Sequence, residues 1–282
     1  MFAAACEKAA GFTRPLIIST RTADGTVSSG CGAFVVLNKD GWFVTAGHLF
    51  DSFVRYQEEQ KREKAAGNTT VVPQGQSVSF PNTGKDPKRL TNHSFWWGAD
   101  AARLETVYVN REIDIAVGKL NGFRPEWVAE YPVIKNPDNM KPGTSLCRLG
   151  YPFIQVSAEF DSGTNAFRLK EGTLPMPLFP NDGIHTRNVD KGKSKDGNYD
   201  MLYVETSTPG LRGQSGGPIY DKNGCVCGIQ VGTTHLPLGF HPEAEFNGMK
   251  VVENQFLNVG IGVHCKTLIQ VLESKGVSFR RE

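Results

Sequence analysis

Short apolar runs separated by turn residues dominate the chain. Many of them are rich in Val, Ile and Phe, and turn signals such as Asn223-Gly224 lie between them. The runs that predict strands are Pro15–Ser19, Gly32–Val36, Trp42–Thr45, Glu112–Leu120, Ser145–Leu149, Met201–Thr206, Cys225–Val231 and Leu257–Val263. Strands this frequent, without a helix regularly between them, predict an all-β barrel or sandwich.

Two segments follow a helical pattern instead. Phe50–Ala66 is amphipathic in its first half and charged in its second half, and Lys266–Lys275 has one apolar face and ends before Gly276, a suitable C-cap. We predict a helix for each. Two further stretches, Asn181–Asp200 and Leu236–Asn254, lack either periodicity and predict long surface loops.

Composition narrows the class of protein without naming an activity. The 282 residues include 31 basic and 29 acidic side chains, a formal net charge of +2, and 39% are hydrophobic. These values are typical of a folded globular protein and exclude a disordered chain. The near-zero charge gives no indication of a nucleic-acid partner, and no apolar run reaches the roughly 18 residues of a membrane span. We expect neither a nucleic-acid nor a membrane partner.

The cysteines favour a reducing compartment. No secretory signal pattern precedes them, so their even number does not by itself indicate disulfides. The six are Cys6, Cys31, Cys147, Cys225, Cys227 and Cys265. Cys225 and Cys227 would share one face of a strand, where core packing is favoured and a zinc site is the alternative. We expect reduced thiols, no metal, no cofactor and a cytoplasmic location.

Three short segments contain the residues of a nucleophilic site. In Thr45–His48 (TAGH) a strand ends and presents a histidine, and in Asp114–Val117 (DIAV) a carboxylate lies beside apolar neighbours. In Gly213–Pro218 (GQSGGP) a serine is flanked by glycines, which permits a sharp turn with free backbone N–H groups. Each segment alone is a weak signal. Together, in the order His, Asp, Ser, they predict a base, an orienting carboxylate and a nucleophile.

This order and these motifs resemble the chymotrypsin-like (trypsin-fold) serine peptidases. The resemblance implies two six-stranded antiparallel β-barrels, with a helical insertion after His48 and a C-terminal helix. It implies that Ser215 is the nucleophile, that His48 is the general base and that Asp114 orients the imidazole. The backbone N–H groups of Gly213 and Ser215 would form the oxyanion hole. The implied activity is that of a serine endopeptidase acting on a protein or peptide through an acyl-enzyme.

Within that fold the chain is most similar to the HtrA/Deg-like branch. The segments Asp114–Leu120, Leu149–Phe153 and Asn258–Leu272 resemble the branch's Asp strand, its turn between barrels, and its closing strand and helix. No segment resembling the branch's PDZ domain follows. The expected first barrel covers residues 1–135, with His48, Asp114 and an insertion at about 50–100. The second covers residues 136–282, with Ser215 and a helix at about 266–275.

Two departures from trypsin concern activation and specificity. Gln214 is uncharged, where trypsin has an Asp that pairs with a freed N-terminus, so we expect no activation of that kind. Pro209 lies six residues before Ser215, where trypsin-like enzymes have the Asp that selects Lys or Arg. We therefore expect an uncharged pocket that favours small or medium apolar side chains. Recognition of an acidic side chain by His235 and Thr233, as in glutamyl-specific relatives, is the less favoured alternative.

The resemblance also implies where a peptide would bind. The strand Gly228–Gly232 would pair with the substrate backbone. The expected substrate-binding residues are Pro209, Gln230, Val231, Gly232 and Thr233.

Two alternatives to a freely active protease stay open. One is a catalytically weak or inactive binding module on a peptidase fold, for which Trp96-Trp97 is a candidate docking feature; packing of one Trp in the core and one at the rim is the simpler interpretation. The other is a protease whose Asn181–Asp200 loop is ordered by a regulatory protein partner. The remaining histidines lack metal spacing, and we expect them at the surface or in loops: His93, His185, His241 and His264.

Overall fold

The computed structural model of the chain describes residues 2–67, 86–252 and 255–282. Within these ranges there are three α-helices: α1 (Ala3–Phe12), α2 (Asp51–Gly67) and α3 (Cys265–Ser274). Helix α3 buries its apolar face, which includes Leu268, Ile269 and Leu272. None of the helices in the described ranges has both the length and the apolar character needed to cross a membrane.

The first sheet contains six antiparallel strands. They are β1 (Thr13–Thr22), β2 (Val27–Val36), β3 (Trp42–Ala46), β4 (Leu90–Trp96), β5 (Arg103–Asn110) and β6 (Ile115–Asn121). Their spatial order is β4-β1-β2-β3-β6-β5. Alternate side chains from these strands meet in one core, in which Leu16, Phe34, Phe43 and Leu120 are buried. Trp97, just after β4, packs against the same core.

The second half of the chain forms a larger sheet and two hairpins. Its strands are β7 (Val133–Ile134), β8 (Ser145–Gly150), β9 (Ala158–Asp161), β10 (Ala166–Leu169), β11 (Phe179–Lys193), β12 (Asp200–Thr206), β13 (Pro218–Asp221), β14 (Val226–Pro237), β15 (Glu243–Phe246), β16 (Met249–Val252), β17 (Phe256–His264) and β18 (Arg280–Arg281). Strands β13-β8-β11-β12-β17-β14 follow one another, and β13 also pairs with β14. These six strands therefore close a ring, which β7 and β18 extend through parallel pairing.

The predicted all-β fold with two barrels and a C-terminal helix is confirmed. Each of the eight apolar runs overlaps a strand. Helix α2 begins one residue after the predicted Phe50, and α3 begins one residue before the predicted Lys266. The apolar runs were sufficient here because consecutive residues of strands such as β3, β6 and β8 are buried, and α3 buries one face.

The prediction of a loop over Asn181–Asp200 is wrong. Strand β11 continues to Lys193: its first part, from Phe179 to Ile184, pairs with β8, and its second part, from His185 to Lys193, pairs with β12. Each part is therefore held by backbone hydrogen bonds, which do not depend on apolar side chains. The polar composition of this segment reflects its exposed side chains rather than an irregular backbone.

The prediction of a loop over Leu236–Asn254 is also wrong for the residues that the structure describes. Strand β14 extends to Pro237, and β15 and β16 form a hairpin. Asn247 and Gly248 form its two-residue turn, with φ angles of 53° and 74°. Positive φ at both positions is what a type I′ turn requires, and Asn-Gly is its strongest sequence signal. Residues 253–254 lie outside the described ranges.

The insertion after His48 is shorter than the predicted 50–100. It includes α2, but β4 already belongs to the first sheet, where it pairs with β1. Leu90, at the start of β4, is buried, and Phe95 packs against the core. The weak alternation of this strand concealed it in the sequence. Residues 68–85 of the predicted insertion lie outside the described ranges.

Each end of the chain packs against the opposite barrel. Helix α1 precedes the first barrel but lies on the second: the rings of Phe2 and Tyr220 meet edge to face at 6.2 Å, and Lys8 donates to Asn223 O at 3.2 Å. Near the other terminus, Ser278 O accepts a hydrogen bond of 2.8 Å from the Asn38 side chain. The N-terminal helix thus attaches the first half of the chain to the second barrel, and the C-terminal segment attaches the second half to the first barrel.

Two histidines expected at the surface are buried. The exposed fraction is 0% for His185 and 2% for His264. His264 is the N-cap of α3, where its Nδ1 accepts the N–H of Lys266 at 3.0 Å, which requires a neutral ring. Burial, with a smaller effect of neighbouring His185, lowers the pKa of His264 to about 4.

Acid should therefore destabilise the fold partly through His264. Between pH 6.5 and about 4 the unfolded chain protonates this histidine and the folded chain does not. The stabilisation is complete above pH 6.5 and is lost as the pH falls below it. We expect His264→Asn, which keeps a capping acceptor, to show a smaller loss of unfolding free energy than wild type between pH 7 and pH 4.5 in urea titrations. The exposed His241→Asn is the control, and equal losses in all three proteins would contradict the assignment.

Candidate active site

The pairing of β3 with β6 brings His48 next to Asp114. The last pair of this ladder is Ala46 with Ile115. Gly47, which follows Ala46, therefore lies opposite Asp114, which precedes Ile115. Gly47 permits the close approach, because a Cβ there would lie 3.1 Å from both the carbonyl carbon and Oδ1 of Asp114. His48 itself lies in a short 3-10 helix, Gly47–Phe50, which follows β3.

Asp114 accepts two hydrogen bonds from His48. Its Oδ1 accepts the backbone N–H at 2.7 Å, and its Oδ2 lies 2.8 Å from Nδ1 of the ring. A carboxylate at Nδ1 favours the tautomer with the proton on Nδ1 and leaves Nε2 as an acceptor. Asp114 has a φ of 60°, a conformation that Asp tolerates better than most residues, and the Gly47 N–H donates to its carbonyl at 3.0 Å.

The serine lies in a sharp turn that depends on glycines. Gln214 N–H donates to Leu211 O at 2.9 Å, and Gly213, the third residue of this turn, has a φ of 95°. These features define a type II turn, which requires positive φ at that position. A Cβ at Gly213 would also lie 2.2 Å from Tyr151 O.

Two backbone donors of this turn are left free. Within the described ranges, the N–H groups of Gly213 and Ser215 donate to no other protein group, whereas those of Gln214, Gly216 and Gly217 all do. Both residues line one surface depression, so these donors are accessible from outside the chain. Two such unpaired donors at and near a serine are suited to bind an oxygen atom of another molecule.

The Ser215 turn packs directly against the first barrel. Ser215 O accepts the N–H of Ala33 at 2.8 Å. Gly216, with a φ of 82°, is so close to the first barrel that a Cβ there would lie 2.0 Å from Thr45 Oγ1 and 2.1 Å from Ala33 O. The turn from the second barrel is thereby fixed beside the strand end that presents His48.

Gln214 supports the turn from inside the second barrel. Its side chain is fully buried, Oε1 accepts the N–H of Leu211 at 3.0 Å, and Nε2 donates to Phe179 O at 3.4 Å. The sequence indicated only that this residue could not form an ion pair. Its contacts show that it connects the turn to β11.

Ser215 lies between two depressions in the surface. The first, here called the His48 cleft, has a volume of about 660 Å³ and is lined by His48, Gly213, Ser215, Cys31, Leu49, Tyr151 and Phe153 among others. The second, here called the Gln230 pocket, has a volume of about 360 Å³ and is lined by Pro209, Gly210, Leu211, Arg212, Ser215, Gln230, Gly232, Thr233, His235 and Asn258. Both volumes are in the range of ligand sites.

The strand beside the Gln230 pocket has an open edge. On one side β14 pairs with β17 from Gly228 to Pro237. On the other side its pairing with β13 ends at Ile229, and the bonds between Gln230 and the Ser215 turn follow. From Val231 to Pro237, no strand within the described ranges covers this second edge. An extended peptide could pair there.

The structure brings the predicted site residues into one region, with some differences in position. Val231 is half-buried and does not line the Gln230 pocket, unlike Pro209, Gln230, Gly232 and Thr233. Ser215 Oγ makes no hydrogen bond with His48 in the described part of the chain. Such bonds are often long in unliganded enzymes. No group of three or more metal-ligating side chains is found among the described residues.

The tandem tryptophans lie outside both depressions that contain Ser215. Trp97 is buried in the core of the first barrel, with an exposed fraction of 2%. Trp96 is half-buried, and its Nε1 donates to Asp100 at 2.7 Å. One tryptophan is thus core and the other is rim. Trp96 lines a separate hollow between β4 and the β9–β10 hairpin.

Comparison with known proteins identifies the family. The family model of the trypsin-like peptidase domain matches residues 30–229, a range that includes His48, Asp114 and Ser215. The chain belongs to the trypsin-like peptidase family. The family predicted from the three motifs is thereby confirmed. No curated protein matches the sequence as a relative.

Solved structures with the same fold include HtrA-type proteases. The HtrA-type protease AlgW with a decapeptide has a TM-score of 0.50 and 15% identity, with 97% of this chain and 67% of that chain covered. The Rv3671c protease from M. tuberculosis, in its active form, has a TM-score of 0.50 and 14% identity, with 96% and 85% covered. The chain spans 63% of an AlgW variant with a tripeptide, with a TM-score of 0.49 and 15% identity. At these identities the similarity shows the fold alone.

The close contact at Gly216 can be tested with two glycine variants. Gly216→Ala adds a methyl group where Thr45 Oγ1 and Ala33 O leave no room, and it should displace the Ser215 turn from the first barrel. Gly143, with a φ of 88°, has no atom of the described residues within 4 Å of an added Cβ. Gly143→Ala should therefore cost only the roughly 1–2 kcal/mol of left-handed backbone strain. Unfolding in guanidinium measures both, and equal losses would contradict the contact.

Proposed function

We propose that the protein is a serine endopeptidase that cleaves peptide bonds through a covalent acyl-enzyme. The observation that carries the proposal is the pair of unpaired N–H groups at Gly213 and Ser215, beside a serine that lies next to the hydrogen-bonded His48 and Asp114. Family membership and the HtrA-type fold support it. AlgW is itself a protease that was solved with a decapeptide.

In the first step, Ser215 Oγ attacks the carbonyl carbon of the substrate and forms an O–C bond, while His48 Nε2 takes the hydroxyl proton. The carbonyl oxygen becomes an oxyanion that the N–H groups of Gly213 and Ser215 bind. His48 then gives its proton to the amide nitrogen, the C–N bond breaks and the amine leaves. Asp114 stabilises the imidazolium throughout.

In the second step, water attacks the acyl carbon and passes a proton to His48. The bond from carbon to Ser215 Oγ breaks, and His48 returns the proton to the serine oxygen. The carboxylic acid product leaves and the site is restored. The open edge of β14 would align the substrate backbone for both steps, since an extended peptide there passes Ser215.

The proposal assigns different parts of the site to the two barrels. The first, at about residues 1–135, would supply His48 and Asp114, and the second, at about 136–282, would supply Ser215 and the substrate-binding strand. Pro209 supports a specificity unlike that of trypsin, because none of the described residues that line the Gln230 pocket has a carboxylate. All six cysteines have free thiols, which supports a reducing, cytoplasmic location.

Regulation by ordering of residues 181–200 is not part of the proposal, because residues up to Lys193 form strand β11. A protein partner that acts elsewhere remains compatible with the site. A binding module without catalysis predicts a different result in the next experiment, because its serine would not react.

A fluorophosphonate probe should label Ser215 in the folded protein. Phosphonylation needs the activated serine, so Ser215→Ala should abolish labelling and His48→Ala should nearly do so. Asp114→Asn should slow it by on the order of 10⁴-fold, the effect of losing the correct tautomer in such sites. Intact-mass spectrometry measures the adduct. His241→Ala, a change in an exposed histidine, is the control. The proposal would be wrong if Ser215 of the folded wild-type protein stayed unlabelled under conditions where trypsin reacts.

Gln214 should act as a positioning residue for the oxyanion turn. Gln214→Met keeps the volume of the side chain but removes the acceptor for Leu211 N–H. We expect the rate of Ser215 labelling to fall at least roughly tenfold, but less than the 10²–10³-fold loss for a deleted oxyanion donor. Gln270→Met is a matched control, because Gln270 also accepts a backbone N–H, that of Asp200 at 2.8 Å, away from the cleft.

The two glutamine variants separate positioning from general stability. If Gln214→Met and Gln270→Met lose similar unfolding free energy but only the former slows labelling, Gln214 positions the turn. If both slow labelling equally, its role is merely structural.

A further inference from the structure

The Gln230 pocket has two walls that a hydrogen bond joins. One wall is the segment 209–211 before the Ser215 turn, and the other is β14 from Gln230 to Thr233. Thr233 Oγ1 donates to Gly210 O at 2.7 Å, so its side chain crosses from the second wall to the first. A substrate side chain that enters between the walls therefore meets this bond.

The Gln230 side chain occupies the space between the same walls. Its exposed fraction is 2%, and its Nε2 donates to Gly232 O at 2.6 Å. A Cβ at Gly210 would lie only 2.0 Å from this Nε2, so the amide rests directly against the opposite wall. The space that a long substrate side chain would need is therefore already occupied by the Gln230 side chain.

A buried arginine lies behind the first wall. Arg148 has an exposed fraction of 2%, and its guanidinium donates to Pro209 O at 2.6 Å and to Thr208 Oγ1 at 3.1 Å. A Cβ at Gly260, the β17 partner of Thr233, would lie 2.7 Å from Arg148 Nη2. The guanidinium thus fills the region into which a deeper pocket would extend.

The volume of the pocket is consistent with a shallow site. Its lining runs along β14 from Gln230 to His235, five residue steps, or about 17 Å of strand at about 3.3 Å per residue. The 360 Å³ is therefore spread along the groove that would hold the peptide backbone. It is not concentrated in a deep cavity for one side chain.

We propose that Thr233 and Gln230 close this pocket, so that the residue on the acyl side of the cleaved bond must have a short, uncharged side chain such as that of alanine. This inference rests on the proposed function and names the substrate class of that site. A longer side chain must break the Thr233–Gly210 bond and displace a buried amide. Among the described residues that line the pocket, the ionisable side chains are Arg212 and His235, so no carboxylate of these residues attracts a basic side chain.

Small peptide phosphonates test the pocket without knowledge of the natural substrate. N-acetylated diphenyl phosphonates with the side chain of Ala, Phe, Glu or Arg react as Ser215 Oγ forms a bond to phosphorus and phenol leaves with the proton. The rate constant of labelling is read by intact mass. For the wild-type protein, the alanine probe should react at least roughly tenfold faster than the phenylalanine probe, since even one methylene group changes such rates 10–200-fold.

Three variants assign the selectivity to Thr233. Thr233→Gly removes the bridge and should lower the ratio of the Ala to the Phe rate at least roughly tenfold. Thr233→Ser retains the hydroxyl group and should retain the wild-type ratio. Thr234→Gly is the matched control, because this exposed neighbour on β14 does not line the pocket. It should also retain the ratio.

The outcomes separate this inference from the proposed function. If the fluorophosphonate fails to label Ser215, the proposed function fails. If it labels Ser215 but the alanine probe does not, or if the Phe, Glu or Arg probe is faster, only the closed pocket is wrong. Equal ratios in Thr233→Gly and Thr234→Gly would likewise overturn the role of Thr233.

Discussion

The hydrogen bond from Ala33 N–H to Ser215 O joins the two barrels at the point where their functional groups meet. Ser215 belongs to one barrel, and His48 and Asp114 belong to the other, so no local turn can fix their relative positions. The contact works because Gly216 has no side chain and the turn can lie against Thr45 and Ala33. The His48 cleft, which residues of both barrels line, depends on this approach of two backbones.

More distant contacts limit relative motion of the barrels. Tyr151 donates its hydroxyl proton to Thr13 O at 3.3 Å, across the same interface. Helix α1 lies on the second barrel, and the C-terminal Ser278 contacts Asn38 of the first. A catalytic arrangement is sensitive to shifts of about 1 Å, so contacts on several sides of the interface matter more than the strength of any one of them.

The sequence was informative wherever a residue type alone limits the local structure. The three motifs around His48, Asp114 and Ser215 predicted one site, and short apolar runs predicted eight of the 18 strands in the described ranges. It was uninformative where the partner decides the outcome: β11 is polar but pairs with β8 in its first part and with β12 in its second part, and Gln214 bonds to Leu211 and Phe179 only in the folded chain. The burial of His264 likewise depends on residues that surround it only in the folded chain. The Asn247-Gly248 pair, by contrast, is a hairpin signal within the sequence itself.

The exchange of chain ends between the barrels affects how the protein would respond to a break in the chain. A nick in the connection between the barrels, near residue 124, would leave two fragments. The first would still carry α1, which rests on the second barrel through Phe2 and Lys8. The second would still carry Ser278, which is held by Asn38. Each fragment would thus contact the other through its terminal segment. The nicked protein would therefore stay assembled as a noncovalent complex.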